Sequence, residues 1–287
     1  MLHTLRKVGR ELSYAKGVVG ILNKLKDLQP DSPITIADGI ESAVDAHADR
    51  LAFVFEGATT TYREFDERAN SIAHWALAQG FQPGDAVALI LENSPDYPAI
   101  WYGLSKVGVV AALINTNLEG EGLAHCIAIV DSKAIIAGGE PPKRADAVTP
   151  ALSNNLSVWD IDGQVGEDLS AALAAQPKSR PDKSIRAHIR NDDRALFIYT
   201  SGTTGLPKAA KISHMRLRGT ARFANILAEV EAGDRVYNTL PLYHMTGGCM
   251  GTAGPLTHGA TIILRRKLPV TGLWDDVADY HSNKFVY

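Results

Sequence analysis

Short apolar runs at Leu51 to Phe55, Ala86 to Leu91, Val109 to Ile114 and Lys133 to Ala137 alternate with stretches patterned for amphipathic helices. Strands of this kind pair in parallel only when a crossover, usually a helix, carries the chain back between them. The alternation therefore implies an α/β fold with largely parallel sheets flanked by helices. The first helix is marked by Thr61 and Glu64, a T-x-x-E capping box, with Tyr62, Phe65, Ala69 and Ile72 on one face and Gly80 closing it. A second is expected from Asp96 to Val107, ending at Gly108. Further strands are expected at Ala195 to Tyr199, Ala209 to Ile212, Arg235 to Thr239, Ala260 to Leu264 and Lys284 to Tyr287, with Ser213 capping another helix. Between Gly138 and Asp193 the pattern loosens. Pro141, Pro142, Pro150, Pro177 and Pro181 mark turns around a short strand at Ser157 to Trp159, and a boundary between two sub-assemblies is expected near residues 139–193.

Composition narrows the classes of function. The chain has 287 residues, 45% hydrophobic and 21% charged, which suits a folded globular protein rather than a disordered or fibrous one. Its net charge of −3 gives no general attraction to nucleic acid, and no zinc-finger spacing or aromatic-studded basic stripe argues otherwise. Cys126 and Cys249 lack CxxC partners, so neither a disulfide framework nor a zinc knuckle is indicated, and a cytoplasmic location fits.

Residues 1–28 read as a basic amphipathic helix. Leu2, Leu5, Val8, Leu12, Ala15, Val19, Leu22 and Leu25 recur at helical spacing, and six basic residues against two acidic ones leave the segment at +4. Charges interrupt it too often for a membrane span, which needs about 20 apolar residues. Two readings stay open: peripheral contact with an anionic membrane surface, or packing against the rest of the protein.

The richest chemistry lies in Tyr199 to Lys208. Thr200, Ser201, Gly202, Thr203, Thr204, Gly205, Pro207 and Lys208 place four hydroxyls, two glycines and a cation directly after an apolar strand. Glycines let backbone N–H groups face an anion, hydroxyls donate further hydrogen bonds and lysine adds a point charge, so phosphate is the natural ligand. This is not the G-x-x-x-x-G-K-S/T loop, because Pro207 precedes Lys208, Ala209 follows it and a strand comes next. A surface turn is the bland alternative for a Gly-Thr pair, but not for this ordered string. Gly247, Gly251 and Gly254 do not follow a dinucleotide fingerprint and read as close helix packing. The histidines show no metal-ligand spacing, and no G-x-S-x-G elbow is present, which disfavours serine-hydrolase chemistry.

The string Y-T-S-G-T-T-G-L-P-K resembles the phosphate-loop motif of the adenylate-forming superfamily of acyl-CoA synthetases, luciferases and peptide-synthetase adenylation domains. Asn238-Thr239-Leu240-Pro241-Leu242-Tyr243-His244 is similar to that superfamily's next motif, and Thr61 to Phe65 and Pro83 to Ala88 to its N-terminal landmarks. Ala111 to Leu118, Leu123-Ala124-His125-Cys126, Leu264 to Lys267 and Trp274-Asp275-Asp276 look most like its branch of fatty acid transport proteins and long-chain or very-long-chain acyl-CoA synthetases.

The resemblance implies an acid–thiol ligase. A fatty acid carboxylate attacks ATP, with Mg²⁺ neutralising charge, to give acyl-AMP, and CoA then takes the acyl group. It assigns the loop residues to ATP phosphate and His244 to shaping the acyl-carboxylate site. It also implies that residues 29–287 are an incomplete AMP-binding domain, because the family's Y-G-x-T-E segment, ribose-binding aspartate and C-terminal lid domain are not in the sequence. On that ground no acyl-CoA synthesis by this chain alone is expected. A non-catalytic nucleotide- or lipid-binding fragment involved in fatty acid uptake is the alternative.

Overall fold

The computed structural model of the protein describes residues 26–152, 156–200, 205–269 and 271–287. The amphipathic segment expected at 1–28 lies outside them except at residues 26–28, where Asp27 pairs with Arg218 and Arg222.

Every apolar run expected as a strand is one, within a residue or so at each end. A seven-stranded sheet has the order β7-β6-β5-β3-β4-β8-β9, from β3 (Ala86–Leu91), β4 (Val110–Leu113), β5 (Ser132–Gly138), β6 (Val158–Asp160), β7 (Glu167–Asp168), β8 (Arg194–Thr200) and β9 (Lys208–Ser213). A five-stranded sheet has the order β12-β10-β11-β1-β2, from β1 (Leu51–Phe55), β2 (Ala58–Thr61), β10 (Arg235–Asn238), β11 (Thr261–Leu264) and β12 (Lys284–Val286). All pairings are parallel except the β1–β2 hairpin and the β8–β9 pair.

Period-two alternation splits the large sheet between two cores. On β3, Val87, Leu89 and Leu91 join the core shared with α1 (Ile36–His47), α2 (Tyr62–Ala78) and α3 (Asp96–Lys106), whereas Ala86, Ala88 and Ile90 join the core beneath α4 (Gly120–Ala128) and α5 (Pro141–Val148). Both faces are covered, which is why these strands read as unbroken apolar runs. The α2 start is the expected capping box: the Thr61 N–H donates to Glu64 Oε2 at 2.7 Å and the Glu64 N–H to Thr61 Oγ1 at 3.2 Å. Ser213 caps α7 (His214–Leu227) by accepting from the Arg216 N–H at 3.2 Å.

The break between sub-assemblies does not fall at residues 139–193. The chain passes from one sheet to the other between Thr61 and Ala86 and returns between Ser213 and Arg235, because β1 pairs in parallel with β11 (Phe53 opposite Ile262) across most of the sequence. Residues 139–193 belong to the large sheet, supplying β6, β7, α6 (Leu169–Ala174) and the return to β8. Their proline-rich texture is that of a sheet edge and a crossover.

This crossover is held by buried ion pairs. Arg186 meets Glu41 at 2.6 Å and Asp38 at 3.0 Å, Arg180 meets Asp66 at 2.9 Å, and Lys106 joins Glu41 at 3.0 Å and Asp66 at 2.8 Å. Burial pushes the Asp66 and Glu41 carboxyls up, but the Lys106 ammonium and the guanidinium partners outweigh it and hold both below the usual range. Removing one partner of such a cluster leaves an uncompensated buried charge, typically worth about 3–5 kcal/mol.

Candidate functional site

Three separate chain segments meet beyond the carboxyl ends of β4, β8 and β10. They line one crevice of about 500 Å³: Leu113, Asn115 and Leu118 from β4 onward, Tyr199, Thr200, Gly205 and Pro207 from the loop between β8 and β9, and Tyr243 and His244 after β10. Open α/β sheets receive ligands at this end of their strands.

The loop is the turn of an antiparallel pair. β8 carries Tyr199 in, buried to 8% exposure, and β9 carries the chain out with Lys208 directly opposite Thr200. Ser201, Gly202, Thr203 and Thr204 lie outside the described residues. Gly205 has φ +107°, and a Cβ there meets nothing within 4 Å among the described residues, so the backbone conformation calls for glycine. Lys208 is exposed beside the crevice and forms no ion pair among the described residues. Two hydrogen bonds from α4 grip the loop's ends: the Tyr199 hydroxyl donates to the Cys126 carbonyl at 2.5 Å, and His125 Nε2 lies 3.0 Å from the Pro207 carbonyl.

His244 ends a turn whose shape is set by asparagines. Asn238 Oδ1 accepts the Leu240 N–H at 3.1 Å, and its Nδ2 donates to the Gly247 carbonyl at 2.9 Å. Asn93, just past β3, binds the same turn from the other sheet through Leu240 and Leu242. The Tyr243 ring sits 4.4 Å from that of His244, tilted by 54°. Burial raises the Tyr243 hydroxyl above its ordinary pKa. On its far side Tyr243 also borders a second cavity of about 330 Å³ that carries Arg144, Arg266, Lys267, Glu92 and Glu140.

The turn packs on a wide, π-type helix, Met245–Ala253. A Cβ on Gly247 comes within 2.4 Å of the Pro241 carbonyl oxygen, and one on Gly248 within 2.2 Å of that of Leu242. Gly247 and Gly248 therefore serve close backbone packing; of the other two glycines in the expected spacing, a Cβ on Gly251 comes within 2.9 Å of the Asn238 side chain and one on Gly254 within 3.1 Å of the Ala221 carbonyl oxygen of α7. Wide-helix turns often mark functional sites.

The structure thus brings Thr200, Gly205, Pro207 and His244 together and sets Lys208 beside them. Asn93 and His125 were not visible as site residues in the sequence; an asparagine just past an apolar strand and a histidine on a helix are too common to single out. Among the described residues no group of three His, Cys, Asp or Glu is placed to hold a metal ion, and no helix is long and apolar enough to cross a membrane.

Comparison with known proteins agrees with the motifs. The chain is 37% identical over 270 residues to long-chain fatty acid transport protein 1 of Bos taurus, covering 88% of this chain and 40% of the relative. It is 30% identical over 262 residues to the medium/long-chain-fatty-acid–CoA ligase FadD6 of Mycobacterium tuberculosis, covering 90% of this chain and 42% of that protein. The chain spans about 40% of the length of these curated relatives. The fold matches the anthranilate CoA ligase AuaEII, solved in complex with anthranoyl-AMP, with a TM-score of 0.82 and 19% identity over 91% of this chain and 50% of that one. The model of the family described as AMP-binding enzyme matches residues 40–287, and the chain belongs to that family.

Proposed function

We propose that this chain forms the ATP- and carboxylate-binding part of an acid–thiol ligase that activates a long-chain fatty acid, first as acyl-AMP and then as acyl-CoA. The observation that carries the reading is the convergence of Thr200, Gly205 and Pro207 with Tyr243 and His244 on one crevice at the strand ends. The names of the relatives, long-chain fatty acid transport protein and medium/long-chain-fatty-acid–CoA ligase, support the substrate class.

In this reading Thr200, Ser201, Gly202, Thr203, Thr204, Gly205, Pro207 and Lys208 hold the β and γ phosphates of ATP. Gly205 admits the phosphate to the backbone and Lys208 supplies the charge. His244 and Tyr243 border the acyl carboxylate. A carboxylate oxygen bonds to the α-phosphorus, the bond to the β-phosphate oxygen breaks, and pyrophosphate leaves. The CoA thiolate sulfur then bonds to the acyl carbon, and AMP departs with the electron pair of the bond between the acyl carbon and its phosphate oxygen. The loop's part is to keep the leaving pyrophosphate in line, since misplacement by about 1 Å can cost a hundredfold. Mg²⁺ bound to ATP neutralises phosphate charge. The described residues offer it no ligand cluster.

Residues 1–28, with their +4 charge and apolar stripe, support peripheral contact with anionic membranes from the cytoplasmic side. Deleting them is expected to abolish salt-sensitive sedimentation with phosphatidylserine vesicles; equal sedimentation favours the packed-helix alternative.

Oleate-dependent exchange of labelled pyrophosphate into ATP, measured on the intact protein that carries this segment, tests the ligase reading. Exchange is the expected result. MgATP binding without exchange points instead to a nucleotide- or lipid-binding role.

A further inference from the structure

Consecutive residues of α4 hold opposite ends of the β8–β9 loop. The Cys126 carbonyl accepts the Tyr199 hydroxyl at 2.5 Å where the loop begins. His125 Nε2 stands 3.0 Å from the Pro207 carbonyl where it ends. A carbonyl oxygen only accepts, so the imidazole donates and Nε2 carries the proton.

α4 is well anchored for this. Leu123, Cys126 and Ile127 are buried at 1% exposure or less and pack in the same core as Phe197 and Tyr199 of β8. Adjacent helix residues point about 100° apart, so while Cys126 faces that core, His125 looks along the sheet edge toward the loop exit. Pro207 has no N–H of its own, and its carbonyl is the group through which His125 holds the segment between Gly205, with its positive φ, and Lys208.

We infer that His125 is a positioning residue. It pins the exit of the loop and so sets where Gly205 and Lys208 stand relative to the crevice, while Tyr199 and Cys126 pin the entrance. The inference rests on the reading of this loop as the ATP-phosphate site, and it adds a side chain that does not line the crevice. Fixing Pro207 before a ligand arrives leaves less ordering to oppose binding.

The test uses the 287-residue chain and two readouts. One is amide hydrogen exchange at Leu206 and Lys208 without nucleotide; the other is affinity for MgATP and, separately, for oleate. His125→Ala is expected to speed exchange at both amides and to weaken MgATP by about two- to tenfold, the range for one neutral hydrogen bond, with oleate unchanged. His125→Gln, whose amide donates at similar reach, is expected to restore both. Tyr199→Phe deletes only a hydroxyl and is expected to speed exchange at Thr200; it keeps the clamp testable if the alanine variant does not fold. Unchanged exchange and unchanged MgATP affinity in His125→Ala overturn the inference, as does failure of a folded His125→Gln to restore them. Faster exchange in a chain whose wild type binds no MgATP supports the clamp and contradicts the phosphate-site reading instead.

Discussion

Asn93 Oδ1 accepts the backbone N–H of Leu242 at 3.0 Å, which ties the end of β3 in the large sheet to the turn that carries His244. The same side chain donates from Nδ2 to the carbonyls of Leu240 at 2.9 Å and Arg265 at 3.1 Å, and it is only 6% exposed. One asparagine thus joins the two sheets beside the second cavity, of about 330 Å³, which it lines.

Asn93→Ala strips the Leu242 N–H and the Leu240 and Arg265 carbonyls of their partner. The expected loss of stability is about 1–3 kcal/mol, read from the midpoint of urea unfolding. Asn93→Asp keeps the acceptor for Leu242 but sets a buried carboxylate oxygen against the Leu240 and Arg265 carbonyls, so a loss at least as large is expected. Wild-type stability in both variants contradicts the role.

Gly248→Ala drives a methyl to 2.2 Å from the Leu242 carbonyl oxygen, a distance that only backbone movement can relieve. Overpacking of this sort costs about 1–3 kcal/mol, and here it displaces the turn before His244. A fall in melting temperature with impaired acid activation in the intact protein is expected. Gly205→Ala meets no atom among the described residues, and its penalty comes from the backbone at φ +107°.

His214 gives stability a defined pH dependence. The ring is 2% exposed, and its Nδ1 accepts the Ile36 N–H at 3.4 Å. Burial lowers its pKa from 6.5 to about 4, outweighing the pull of Asp193 and Asp38. Folded His214 therefore stays neutral where the unfolded chain takes up a proton. Its contribution is fully present above pH 6.5 and is lost as pH falls toward 4, by at most about 1.4 kcal/mol per pH unit. The buried carboxylates Glu41 and Asp66 and the half-buried Asp38 also lie below their ordinary values, and their contribution to stability is lost in the same direction at lower pH. Urea unfolding between pH 7 and 5 isolates the histidine: a flatter slope in His214→Asn supports this assignment, and an unchanged slope removes it.

Much of the fold was legible because its strands are buried on both faces and its helices carry explicit caps. Thr61 with Glu64 and Ser213 with Arg216 act locally, so sequence spacing reveals them. The division into sheets was not legible: β1 is placed by pairing Phe53 with Ile262, a contact no local pattern encodes. The site showed the same split. Thr200, Gly205, Pro207 and His244 stood out as strings of unusual residues, and they converge. Asn93, through Leu240, Leu242 and Arg265, and His125, through Pro207, act on backbone far away in sequence, and spacing does not reveal such partners. The wide helix at Met245–Ala253 was visible only as glycines whose packing partners were unknown.

Lys208 bears most directly on the claim that the loop holds ATP phosphates. It is exposed, pairs across the strands with Thr200 and forms no ion pair among the described residues, so Lys208→Ala should change stability by no more than about 0.5 kcal/mol. A charge-assisted contact to phosphate is worth about 1.5–3 kcal/mol, or roughly ten- to a hundredfold and somewhat more in affinity. The deciding measurement is calorimetric titration of the wild-type chain and Lys208→Ala with MgATP at fixed salt. The expected result is binding by the wild type that weakens by at least about tenfold in the variant, with an unchanged unfolding midpoint. Equal affinities in two equally stable proteins would contradict the assignment of this loop to the phosphates of ATP.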